Sequence, residues 1–383
     1  MAITINSTPA TFNAAYRNVS WQVDSDDVTI VRIIADVYVN DVYETTIEKD
    51  PELGTTDQFK FDISRVTQDL LTRDLETTVS GNTTHDSTDS SKQFKCRFFE
   101  VLDSGSGFTT TWAEDGAGTG FEEAVNVLVV NSTLQHTEQQ NMDLFSVDTS
   151  AKRFLSNRPT SGTELIKGDP FFLDFLTIRT VHLNRVETDA VGGATITLDT
   201  FSFNPTKNKG QILVDSDIFL DSTVSVSLRL LEDTGGNPPI SQSIDVKVIQ
   251  NCLEDTFTLY WQNPLGGIDS QPFRSRKIEG LSSEIVTHRK ILADSFNVED
   301  RGENVLEHRS DDIVKAWTEI NNKATMRWLR EIGLTGRNAF IYDNGFVPVI
   351  ITDFSEQVVD TDNFKGQFDI EFRFSNAHIA QRG

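Results

Sequence analysis

The chain has 383 residues, 37% hydrophobic and 24% charged, which is enough apolar matter for several cores and excludes global disorder. Its length suits two or three domains. The net charge of −24 repels phosphate backbones and argues against nonspecific nucleic-acid binding. The acid is concentrated at the front: residues 1–250 carry 37 acids and 19 bases, residues 251–383 carry 21 and 15.

The opening MAITINSTPATFNAAYRN has neither a basic n-region nor an apolar h-region, so no signal peptide is expected. No apolar run approaches the roughly 20 residues of a membrane span. In TIVRIIADVYVN, Val31, Ile33, Ala35, Val37 and Val39 fall on one face, which predicts a strand with one buried side. Asn40-Asp41 supplies the turn into a second strand. Residues 59–64 alternate again, and Ile63, Val66 and Leu70 are spaced for a short helix over 63–72. Residues 77–92, rich in Ser, Thr and Asp, read as an exposed loop. A strand is predicted over 93–102, then a glycine-rich segment, 103–123, carrying Phe108 and Trp112, then a buried strand over 126–130.

Short strands follow at 171–178, 194–203, 224–231 and 244–250, separated by turn signals such as Gly192-Gly193 and Asn204-Pro205. That spacing predicts a sandwich or barrel. In the last third, Ile313, Trp317, Ile320, Ala324 and Trp328 recur at helical spacing. Ser310, Asp311 and Asp312 stand at the expected N-cap and Gly333 at the stop. Asp343-Asn344-Gly345 then marks a hairpin turn within 340–352, and 364–374 alternates as a further strand. The fold class is therefore mainly β: antiparallel β-sandwiches over 1–125 and 126–250, and an α+β domain over 251–383 with one main helix.

Chemistry is hard to find. LYWQNPLGGIDSQPF, 259–273, runs from a strand into a Gly-Gly turn, the setting of many phosphate loops. A Walker loop needs Gly-Lys-Ser/Thr, because the lysine reaches the phosphates. Here Ile268-Asp269-Ser270 follows, and a carboxylate repels phosphate. The GxGxxG and GxSxG patterns are also missing. No histidine pair has metal-ligand spacing. Asp24, Asp26 and Asp27, or Asp215 and Asp217, offer oxygens to calcium without the spacing of a calcium loop. Cys96 and Cys252 are read as reduced thiols, and no cofactor is expected. No enzymatic role is expected either: paired carboxylates can always be found among 58 acids, and nothing local singles out two of them.

The basic residues Arg274, Arg276, Lys277, Arg289 and Lys290 form the chain's one basic concentration. They read either as a solvated charge run or as a contact for an acidic face, such as residues 1–250 of a neighbouring copy. Gly266 and Gly267 read as a structural turn needing positive φ or close backbone approach, with an interface role. Trp112 is a further interface candidate.

The C-terminal third resembles tailed-bacteriophage virion proteins of the tail-tip, baseplate or connector group. The matching pattern is a Trp/Tyr strand leading to N-P-L-G-G-I-D-S, then F-V-P-V-I-I-T-D, then F-D-I-E-F-R-F. The front is similar in type, from T-P and N-A-A-Y through V-S-W-Q-V-D-S to F-D-I-S, which implies that the 1–125 sandwich is immunoglobulin- or fibronectin-like. The resemblance covers roughly 1–75 and 250–383. It implies a non-enzymatic virion component, made in a host cytoplasm, whose partners are copies of itself in a symmetric ring and other virion proteins. The loops 77–92 and 103–123 would then be contact arms. The competing reading is a glycan- or receptor-binding β-sandwich module with Trp112 and Tyr260 as stacking platforms.

Overall fold

The computed structural model describes every residue except 1–2, 28, 51–57, 73–82, 87–89, 133–141, 148–151, 178–179, 202–207, 235, 251–255, 274–277, 290–302, 335–337, 343–344, 361–363, 376–377 and 380–383. The protein is mainly β, built from antiparallel-dominated sheets in three successive units; among the described residues there are two short α-helices, Ser64–Leu70 and Lys323–Leu329.

The first unit is a sandwich. A three-stranded sheet (Ile3–Ser7, Ser20–Ser25, Gln58–Asp62) faces a seven-stranded one centred on Ile30–Val39 and Ser91–Asp103. Alternation decides the core: Ile33, Ala35, Val37 and Val39 meet Trp21, Val23, Phe59 and Phe61 across the gap. Asn40 and Asp41 both have positive φ, 49° and 67°, as a two-residue hairpin turn requires. The outer face of Ile30–Val39 is covered too. Trp112 Nε1 donates to the buried Asp36 carboxylate at 2.9 Å, and Tyr38 Oη donates to the Gly116 carbonyl at 3.1 Å. The 103–123 segment is therefore folded back on its own sheet, where Phe108–Thr110 and Glu122–Glu123 pair with Ser91–Asp103.

Two expectations are corrected along the chain. Within 77–92, residues 83–86 and 90–92 are described, and they are not simply a loop. Thr83–Asp86 form a strand paired with Asn208–Asp215 of the second unit, and Lys209 Nζ donates to Ser90 Oγ at 2.9 Å. Thr83–Asp86 therefore belongs to a sheet of the second unit. Conversely, Val127–Val130 lies past position 125 yet pairs with Ser91–Asp103 and Phe12–Ala14 in the first unit.

The second unit packs a five-stranded sheet (Thr163–Ile166, Ile244–Ile249, Thr223–Glu232, Val181–Asp189, Ala194–Phe201) on a three-stranded one (Pro170–Thr177, Asn208–Asp215, Thr83–Asp86). Phe171, Leu173, Phe175, Val181, Leu183 and Leu228 fill the space between.

The third unit is one eight-stranded sheet that curls until Ile268–Phe273 approaches Glu303–Ile320. The helix expected through 313–328 is a further correction. Glu303–Ile320 is a strand, and a seven-residue helix, Lys323–Leu329, follows. The same residues carry a period of two, with Val314, Ala316, Thr318 and Ile320 inward. Val314, Ala316 and Thr318 oppose Phe372, Ile370 and Phe368, so small residues seat large ones and the ladder prevails over helical spacing. Ser310, Asp311 and Asp312 pair with Ser283, Ser282 and Leu281 instead of capping a helix. The N-cap is Asn322, whose side chain accepts from Ala324 N at 2.8 Å.

Candidate functional site

The turn at 263–267 is buried and sits where the three units meet. The strand Phe257–Gln262 ends at Asn263, whose Oδ1 accepts from Leu265 N at 3.0 Å and Gly267 N at 3.1 Å. Its Nδ2 donates to the Leu155 carbonyl of the second unit at 2.7 Å. Leu265 lies in an apolar cluster with Phe12, Leu128 and Val130 of the first unit and Leu155 and Leu176 of the second. Gly266 has φ +88°, and a Cβ there would lie 2.6 Å from the Asn131 carbonyl oxygen. A Cβ on Gly267 would lie 2.3 Å from the Leu155 carbonyl oxygen. Both glycines are required by positive φ or close approach, as the sequence suggested. What they approach is their own chain.

Buried charges border this peg. Asp174 Oδ2 accepts from Ile268 N at 2.8 Å, its Oδ1 accepts from Gln211 Nε2 at 2.9 Å, and Lys209 Nζ stands 3.3 Å away. One residue on, Asp269 accepts from Ser156 Oγ at 2.7 Å and Trp328 Nε1 at 2.6 Å, and faces Arg158 Nη2 at 3.3 Å. The Arg158 and Asp269 side chains are each 1% exposed. Burial pushes the Asp269 carboxyl up and the Arg158 guanidinium down, and their mutual attraction opposes both shifts. Arg158 lies over the rings of Phe171 at 4.3 Å and Trp328 at 5.3 Å. Asn157 Nδ2 donates to Glu331 Oε1 at 2.8 Å, and Thr258 Oγ1 donates to Asp169. Desolvation lifts Asp169 to about 6; Thr258 opposes this and Asp217 adds to it.

This arrangement fastens sheets together. Nearly all the polar atoms named above are hydrogen-bonded within the chain; Arg158 Nη2 faces Asp269 as an ion pair without a hydrogen bond. Tyr260 is fully buried, with its hydroxyl on the Pro170 carbonyl at 2.8 Å, and so is no stacking platform. Trp112 is half-buried and bonded to Asp36, so its role is within the first unit. Arg274, Arg276, Lys277 and Lys290 lie outside the described residues. Arg289 ends the strand Ile278–Arg289, of which the backbone is described there. Asp24 bonds Asn6, and Asp215 caps its own turn through Asp217 N. Among the described residues no group of three or more His, Cys, Asp or Glu could hold a metal. Cys96 is buried and its thiol is pushed well up by desolvation, while Cys252 lies outside the described residues.

Sequence reading missed Arg158, Asp174 and Lys209. One local signal was available: Asp174 interrupts the apolar run F-F-L-D-F-L, and a charge inside a buried strand needs a partner.

A second feature stands away from the seam. Ile278–Arg289 pairs with Glu303–Lys315, but only Ile313–Ile320 pairs onward with Lys365–Phe374, and only Arg309 and Ser310 pair with His378–Ile379. Among the described residues, Glu284–Arg289 and Glu303–His308 thus form a two-stranded ribbon beyond the sheet. It is roughly 20 Å long at about 3.4 Å per residue.

No family model and no curated protein matches this chain. Solved structures matched to this chain include the fibronectin(III)-like modules of Clostridium thermocellum CbhA (10% identity, 66% of this chain and 96% of that one, TM-score 0.15). A bacterial ice-binding adhesin (11%, 84% and 93%, TM-score 0.17) and a marsupial T cell receptor (8%, 98% and 94%, TM-score 0.18) are also similar. At such scores they carry no functional argument, and the fold class rests on the chain's own sheets.

Proposed function

We propose that the chain is a non-enzymatic structural component of a bacteriophage virion, a tail, tail-hub or baseplate ring protein acting through protein–protein contacts. The observation that carries this reading is the two-stranded ribbon leaving the third unit. Among the described residues no third strand joins the ribbon, and two strands alone are marginally stable in water. It gains a second side by lying on a neighbour. The seam supports the same reading: buried charges that join three units suit a body that must present contacts at fixed separations. The sequence resemblance at 1–75 and 250–383 adds the virion context. Among the described residues no helix is long and apolar enough to cross a membrane.

The test is mass spectrometry of tailed particles purified from an infected culture. The proposal expects tryptic peptides of this chain at several copies per particle. Complete particles that lack the chain would contradict it.

A further inference from the structure

The curled sheet of the third unit has one face in the core and one outside it. Val314, Ala316, Ile370 and Phe372 fill the core. The residues that alternate with them point the other way, and strand register sets them in rows. Trp317 stands opposite Asp369, and Asp369 opposite Ser355. Two residues along, Lys315 stands opposite Glu371, and Glu371 opposite Asp353. These six residues line a groove of about 280 Å³ that crosses three strands.

Two features set this groove apart from an ordinary solvated sheet face. The first is an aromatic wall. Trp317 is half-buried, and among the described residues no other ring and no cation stacks on it.

The second is unbalanced charge. Lys315 Nζ pairs with Glu371 at 2.6 Å, which satisfies that acid. Asp369 is held by neutral donors alone, Gln367 Nε2 at 2.6 Å and Ser355 Oγ at 3.4 Å. Asp353 accepts from the Phe354 amide at 2.9 Å and feels the shared charge of Lys315. Three carboxylates and one ammonium leave the groove with a balance of −2.

That balance repels a phosphate or carboxylate ligand. The carboxylates do not converge on a point ion either: among the described residues no group of three or more acids could hold a metal. A guanidinium suits what remains. It is planar, so it stacks on an indole face, and its fork of donors matches a carboxylate beside that face.

We infer that this groove receives an arginine side chain of a partner protein, with the guanidinium lying on Trp317 and donating to Asp369 while Asp353 completes the negative field. The inference gives the protein–protein contacts proposed above a chemistry, and rests on that reading for the nature of the partner.

The test titrates the full chain with acetyl-Gly-Arg-Gly-amide, and with the same peptide carrying citrulline, the neutral isostere of arginine, in a calorimeter. The inference expects saturable binding of the arginine peptide and at least tenfold weaker binding of the citrulline one. Trp317→Ala and Asp369→Asn, each with an unchanged thermal melt, should weaken the arginine peptide at least tenfold, and Trp317→Phe, which keeps an aromatic face, by less. Equal binding of the two peptides, full affinity in both variants, or no saturation up to tens of millimolar would overturn the inference. Saturation by glucose, galactose or N-acetylglucosamine that depends on Trp317, with no response to arginine, would overturn it in favour of a sugar site. Each of these failures leaves the assembly reading standing if the chain is found in particles. Arginine binding by a chain absent from particles would remove the assembly reading and keep the groove.

Discussion

The seam at 263–269 and the edge at 194–201 handle polar backbone and charge in opposite ways. At the seam, groups that are costly to bury are buried and given partners: Asp174 accepts two hydrogen bonds and faces Lys209, and Asp269 accepts two and faces Arg158. At the edge, an apolar strand that could be covered cheaply stays in solvent. Buried ion pairs add little net stability over apolar packing but punish any arrangement that separates them. The seam therefore fixes how the units sit, whereas the edge leaves Ile196 and Leu198 in solvent.

Four substitutions probe that contrast, from the largest expected effect to the smallest. Asp269→Ala leaves Arg158 charged and unpaired in the interior, and should cost about 3–5 kcal/mol in urea unfolding. A loss below about 1 kcal/mol would mean that the seam is more hydrated than its closed geometry implies.

Asp169 gives the seam a pH dependence. Its folded pKa, about 6, lies above the ordinary 3.8, so the folded state holds its proton more tightly than the unfolded chain. That contribution is fully present below about pH 4 and is lost as pH rises through about 6, by roughly 3 kcal/mol at most. Asp169→Asn should flatten the stability profile between pH 4 and 7 and unfold later than the parent above pH 6. An unchanged slope would assign the titration elsewhere.

Gly267→Ala places a methyl 2.3 Å from the Leu155 carbonyl oxygen, so two backbones must part. Overpacking of this kind costs about 1–3 kcal/mol, read as a lowered thermal midpoint. The single Ile196→Lys, on a side chain already in water, should move stability by no more than about 0.5 kcal/mol in the same measurement. A large loss there would show that the edge belongs to the monomer's own core.

Much of the fold was legible because alternation is local. Residues 31–39 show their buried face directly, and Asn40-Asp41 announces its turn through residues that tolerate positive φ. The helix read through Ile313, Trp317 and Ile320 failed because those residues satisfy two periods. The choice between them is made by Phe368, Ile370 and Phe372, some fifty residues away. The crossing of Thr83–Asp86 into the second unit had no local signal at all, since a polar strand that fills a distant edge looks like a loop. The candidate site divides the same way. The glycine pair was recognisable as a turn, and its closeness to Asn131 and Leu155 was not. Trp112 read as a contact residue because the acid it bonds, Asp36, is 76 residues away.

The most direct test of the claim that this chain is built to pair with copies of itself is its mass in solution, by light scattering across a wide concentration range. The account predicts a defined multiple of the 42.9 kDa chain that persists on dilution. A 42.9 kDa particle at every concentration would contradict it.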